Sequence, residues 1–140
     1  MKQDSAMGNL GYERYDQDFY ATEAWLTHNL IPILKSENLI KSNTHIWECA
    51  CGDGGISDVL ERNNIPVVCT DLIYRGRGVG DVDFLKTTDM PDGSNFILTN
   101  PPYGDLAEEF VRHALKLTEK KRGTVGMLLR NEWDCGKARM

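Results

Sequence analysis

Residues 45–71 carry the pattern that most restricts how this chain can fold. An apolar run at 45–50 leads into Cys51-Gly52-Asp53-Gly54-Gly55; Ile56, Val59 and Leu60 then follow at helical spacing, and a second apolar run at 65–70 ends on Asp71. Strand, glycine turn, helix and strand in that order make one βαβ unit with parallel strands and a right-handed crossover. Strands this apolar suit a parallel sheet covered on both faces. Short runs at 82–85, 95–99 and 125–129 continue the alternation, with an amphipathic helix from Leu106 to Leu117 before the stop at Gly123. The expected fold is α/β, an open, mostly parallel, doubly wound sheet with five strands legible. Ahead of it, Leu26, Leu30, Ile31, Ile33 and Leu34 mark a helix with Thr22 as N-cap, and Pro32 either kinks it or starts a new one.

A chain of 140 residues suits one core. Residues 1–18 read as an irregular arm, whose tyrosines either pack over an opening elsewhere or merely tie the arm down, and residues 19–140 read as the core. The 16 Lys and Arg against 21 Asp and Glu leave a charge of −5, which excludes a wholly basic nucleic-acid wrapper but not a local basic face. Arg75 and Arg77 lie in a glycine-rich loop and could meet phosphates, whereas Lys120-Lys121-Arg122 reads better as a solvated helix end. The polar amino end has no apolar signal region, and no run approaches the length of a membrane helix. The four cysteines show no C-x-x-C hooks, so no metal site is expected, and Cys51 and Cys69 read as small core residues in a reduced, cytoplasmic protein.

Glycines between a strand and a helix let backbone approach a ligand where a β-carbon would clash. Phosphate is the usual guest of such a turn. Here Glu48 at the strand end and Asp53 in the turn would repel it, and the P-loop Lys-Ser/Thr is absent. A cationic or hydroxyl-rich ligand fits better, with Asp71 placed to accept the two hydroxyls of a ribose. The plain alternative is a tight turn beside a solvated acid.

The second candidate feature is Asn100-Pro101-Pro102-Tyr103-Gly104, directly after an apolar strand. Each proline fixes its own backbone and pushes the residue before it towards an extended form. The result is a rigid shelf that offers the Asn100 amide oxygen and the Pro101 carbonyl as acceptors, with the Tyr103 ring as a flat face for a planar base. Two fixed acceptors suit an amine with two N–H groups.

The run 48–54 resembles the glycine motif of S-adenosylmethionine-dependent methyltransferases, and Asn100-Pro101-Pro102-Tyr103 resembles the catalytic motif of amino-methyltransferases, above all the DNA adenine-N6 enzymes of phage and prophage type. Residues 19–25 are similar to the segment before the glycine motif in those enzymes, which often carry Thr-Pro where this chain has Glu23-Ala24. The resemblance covers 19–130 and implies a Rossmann-like methyltransferase fold with S-adenosylmethionine as cofactor. Glu48 and the Ala50 carbonyl would then hold the methionine ammonium, Gly52 and Gly54 would let backbone close on the cofactor, and Asp71 with Leu72 beside it would take the ribose. Asp83 would face the cofactor adenine, with Phe84 stacked on it, while Tyr20, Thr22 and Trp25 would wall the methionine end. Asn100, Pro101, Pro102 and Tyr103 would be the catalytic set, holding an adenine flipped out of DNA. Related motifs serve enzymes that methylate amines in RNA or a protein glutamine, and a cofactor-binding subunit or remnant without turnover is the reading of another class. Against the resemblance, the last two strands and a target-recognition region are missing. This suggests a fragment, or a partner chain or second copy at an uncovered sheet edge, in a bacterial or phage-infected cytoplasm.

Overall fold

The computed structural model describes residues 21–131 and 133. The arm 1–18, Tyr20 and the end of the tail lie outside the described residues. The elements are α1 (Ala24–Ser36), β1 (Ile46–Glu48), α2 (Ser57–Arg62), β2 (Val67–Cys69), a 3-10 turn (Phe84–Lys86), β3 (Phe96–Thr99), α3 (Asp105–Glu119) and β4 (Thr124–Met127). The strands form one parallel sheet in the order β2-β1-β3-β4. This small α/β domain, a parallel sheet with helices packed on it, is a generic Rossmann-like arrangement.

Side-chain alternation along the strands divides the core into two layers. Ile46, Phe96 and Leu98 turn to one face, where Ile31 and Leu34 of α1 and Val59 and Leu60 of α2 cover them. Trp47 and Ile97 turn to the other, under Phe110, Ala114 and Leu117 of α3 and Phe84 of the 3-10 turn. The charges of α3 match its dipole, with Asp105 and Glu108 in the first turn and Lys116 in the last.

Three local expectations are corrected. The run at 82–85 is not a strand: the Asp83 side chain accepts a hydrogen bond from the Leu85 amide at 3.1 Å, an Asx-type turn that starts the 3-10 helix instead. The place beside β2 is touched only by Val79, through an isolated parallel bridge to Thr70, so four strands are found among the described residues. Pro32 neither breaks nor restarts α1, which runs through it. It sits on the exposed side, where water can take up the carbonyl it leaves without a donor. Thr22 does not cap α1 either, because the N-cap position is Glu23 and the Thr22 hydroxyl is engaged across the fold. Among the described residues, no helix is long and apolar enough to cross a membrane.

Candidate active site

From β1 the chain goes to β2 on one side and then crosses to β3 on the other. The carboxyl ends of β1 and β3 therefore flank the point where strand order reverses, which is where open α/β sheets leave a crevice. A cleft of about 500 Å³, counted out to its open mouth, lies there.

One wall is the glycine turn. Gly52 and Gly54 adopt φ of 56° and 100°, the left-handed region, which bends the chain back over the end of β1. Asp71 holds this turn in place: its Oδ2 accepts from the Gly52 amide at 2.8 Å and its Oδ1 from the Ile73 amide at 3.2 Å. Asp71 is thus buried and already a strut between β1 and β2, yet it still lines the cleft and keeps free lone pairs.

The floor is Glu48, almost fully buried at the end of β1. Its Oε1 accepts from the Ala50 amide at 3.1 Å and from the Thr99 hydroxyl of β3 in a short bond, so it ties the two switch-point strands together. Burial pushes its pKa up to about 8, against the two hydrogen bonds that favour the ionised form.

The opposite wall is Asn100-Pro101-Pro102-Tyr103 at the end of β3. The Asn100 Nδ2 donates to Thr22 Oγ1 at 3.1 Å, which fixes the amide, and its Oδ1 is buried with no hydrogen-bond partner among the described residues. An orphaned buried acceptor is costly unless a ligand group meets it. Thr22 reaches this position because Gly55 makes room: a β-carbon there would lie 2.2 Å from the Thr22 carbonyl oxygen. The half-buried Tyr103 ring carries the Arg130 guanidinium 5.5 Å from its centroid, so this aromatic face already holds a planar cation.

Of the residues singled out from the sequence, Thr22, Glu48, Ala50, Gly52, Asp71, Asn100, Pro101, Pro102 and Tyr103 line this one cleft. Others do not. Phe84 is fully buried between Trp47, Phe110 and His113, so its ring serves the core and is not a stacking surface for a ligand. Trp25 is 58% exposed, with its indole N–H on Glu23, and is not among the residues that line this cleft. Asp83 is spent on its turn, Leu72 packs into the layer under α3, and Gly54 lies under Asp58 and Arg77. Cys51, Asp53, Gly55 and Arg75 line the cleft without having been assigned to it. The glycine and basic character of 51–55 and 75–80 was visible, but not which members turn inward. Compared with known proteins, the sequence matches no family model and no curated protein.

Proposed function

We propose that the protein is an S-adenosylmethionine-dependent amino-methyltransferase acting on the N6 amine of adenine in DNA. The observation that carries this reading is the orphaned Asn100 Oδ1, presented on a proline-stiffened shelf at the rim of an acid-lined cleft. An acceptor held without a partner calls for an N–H donor, and an exocyclic amine brings two.

The donor set also suits the cofactor. Asp53 and Asp71 disfavour phosphate and favour a ligand with an ammonium and hydroxyls, an ammonium would also draw the buried Glu48 towards its ionised form, and Arg75 at the same cleft suits a carboxylate. Glu48 would face the ammonium and Asp71 the hydroxyls, each with lone pairs to spare. The bound cofactor supplies an electrophilic methyl group on a sulfonium sulfur.

The chain's own part is to make a poor nucleophile adequate. The lone pair of an aromatic amine is spread into the ring. Asn100 Oδ1 and the Pro101 carbonyl, pulling on the two N–H groups, favour a pyramidal nitrogen whose lone pair points out of the ring plane. Their attraction grows as positive charge develops on that nitrogen, so it lowers the barrier rather than merely tightening binding. Tyr103 would stack on the flipped base where its ring now carries the Arg130 guanidinium. The proton lost afterwards needs no strong base, since the methylated nitrogen is acidic while cationic.

The test is calorimetric titration with S-adenosylmethionine, followed by transfer of a labelled methyl group to DNA, RNA and protein substrates. Asn100→Ala should bind the cofactor within a few-fold of the parent while turnover on DNA falls by about 10²-fold or more. Equal turnover in the two proteins would sink the mechanism, and label appearing in RNA or protein alone would redirect the substrate.

A further inference from the structure

Arg130 stands beside the Asn100–Tyr103 shelf, three residues beyond the end of β4. In the parallel register Met127 of β4 is level with Thr99 of β3, and the Leu128 amide carries the ladder one step further by bonding to the Thr99 carbonyl at 3.0 Å. The Arg130 carbonyl accepts from the Trp133 amide at 3.0 Å. Backbone bonds therefore hold the chain on both sides of this residue. Its side chain is exposed, and its guanidinium lies 5.5 Å from the Tyr103 ring centroid with no salt bridge to a carboxylate among the described residues. Arg77 and Arg112 differ in this respect, being paired with Asp58 and Glu61 and with Glu108.

We propose, resting on the reading of this cleft as an adenine methyltransferase site, that Arg130 is a phosphate-binding residue for the DNA strand: it yields the Tyr103 ring to the flipped adenine and pairs with a phosphate beside the flipped nucleotide.

Charge supplies the need. Asp53 and Asp71 line the cleft, and Asp105 opens α3 two residues after Tyr103, so an incoming strand brings its phosphates towards acids. Arg75 lies within the cleft, where the carboxylate of the cofactor occupies it on the same reading. Arg130 is a cation at the rim, where the sugar-phosphate of a base stacked on Tyr103 must lie. The ring contact makes the exchange easy. An exposed cation–π contact is weak, and a nucleic-acid base stacks on an aromatic face more firmly. A guanidinium is planar and weakly hydrated, and its fork of N–H donors matches two phosphate oxygens. The swing costs the fold nothing, because the bonds that hold this stretch are made by backbone atoms. The same fixed backbone keeps the displaced guanidinium at the mouth of the cleft.

The experiment measures binding of the full chain to a single-stranded oligonucleotide of thymidines with one central deoxyadenosine, by fluorescence anisotropy over a range of salt. A second strand carries methylphosphonates in place of the two phosphates that flank the adenine. Arg130→Gln should weaken binding of the first strand about tenfold at low salt and lower the slope of log affinity against log salt by about 0.7, the value for one phosphate contact on a single strand. On the neutralised strand the same substitution should change little. Arg130→Lys keeps the charge and should keep the slope. S-adenosylmethionine should bind the Gln variant as it binds the parent. Equal losses on the two strands, a Lys variant that behaves like Gln, or loss of cofactor affinity would overturn the inference and leave the reading of the cleft standing. A parent that binds neither strand would overturn that reading, and the inference with it.

Discussion

Replacing Glu48 by Gln should remove a pH dependence from the stability of the fold. Glu48 is raised from its ordinary value of 4.5 to about 8 because the β1 strand end buries it. Between those values the folded chain holds a proton that the unfolded chain releases. The stability that goes with it is complete below pH 4.5 and is lost as pH climbs through 8. At about 1.4 kcal/mol for each pH unit, the whole loss is about 5 kcal/mol, a large part of what a domain this small has. Glutamine keeps an acceptor for the Ala50 amide and the Thr99 hydroxyl but never ionises. Chemical denaturation of both proteins from pH 5.5 to 8.5 gives the difference curve, in which other titrating groups cancel. The parent should lose stability relative to Glu48→Gln by about 1.4 kcal/mol per pH unit near neutrality and more slowly above pH 8. Parallel curves would refute the burial argument. The same proton bears on the proposed ligand, because an ammonium beside Glu48 favours the ionised form. Affinity for S-adenosylmethionine should therefore rise with pH towards 8 in the parent and stay flat in the variant.

Gly55→Ala should cost about 1–3 kcal/mol, because its β-carbon would meet the Thr22 backbone oxygen at 2.2 Å and no side chain can give way. Turnover should fall with it as Thr22 is pushed from Asn100; a denaturation midpoint equal to the parent's would contradict this. Phe84→Ala should destabilise the fold by about 3–5 kcal/mol through the cavity left under α3, and calorimetry at a temperature where it stays folded should find cofactor affinity within a few-fold of the parent. A large loss of affinity there would return Phe84 to the site.

The alternation of short apolar runs and helical periods, with glycines between, determined the parallel α/β sheet and the position of its cleft, because burial of both sheet faces demands continuous apolar strands. Asn100 to Tyr103 was equally legible, since prolines restrict backbone wherever they stand. Tertiary structure alone decided the rest. Thr22 carries the mark of a helix cap, yet its hydroxyl goes to Asn100, 78 residues away in sequence. Phe84 beside Asp83 looked like a ligand face, but the Asx turn swings its ring into the layer between Trp47 and Phe110, where its burial is worth more. The placement of Cys69 opposite Glu48 is equally invisible along the chain, because strands one crossover apart become neighbours only through the ladder between β1 and β2. Local pattern sets each element and its buried face; which side chains meet at the strand ends depends on register and loop path, and those are properties of the assembled sheet.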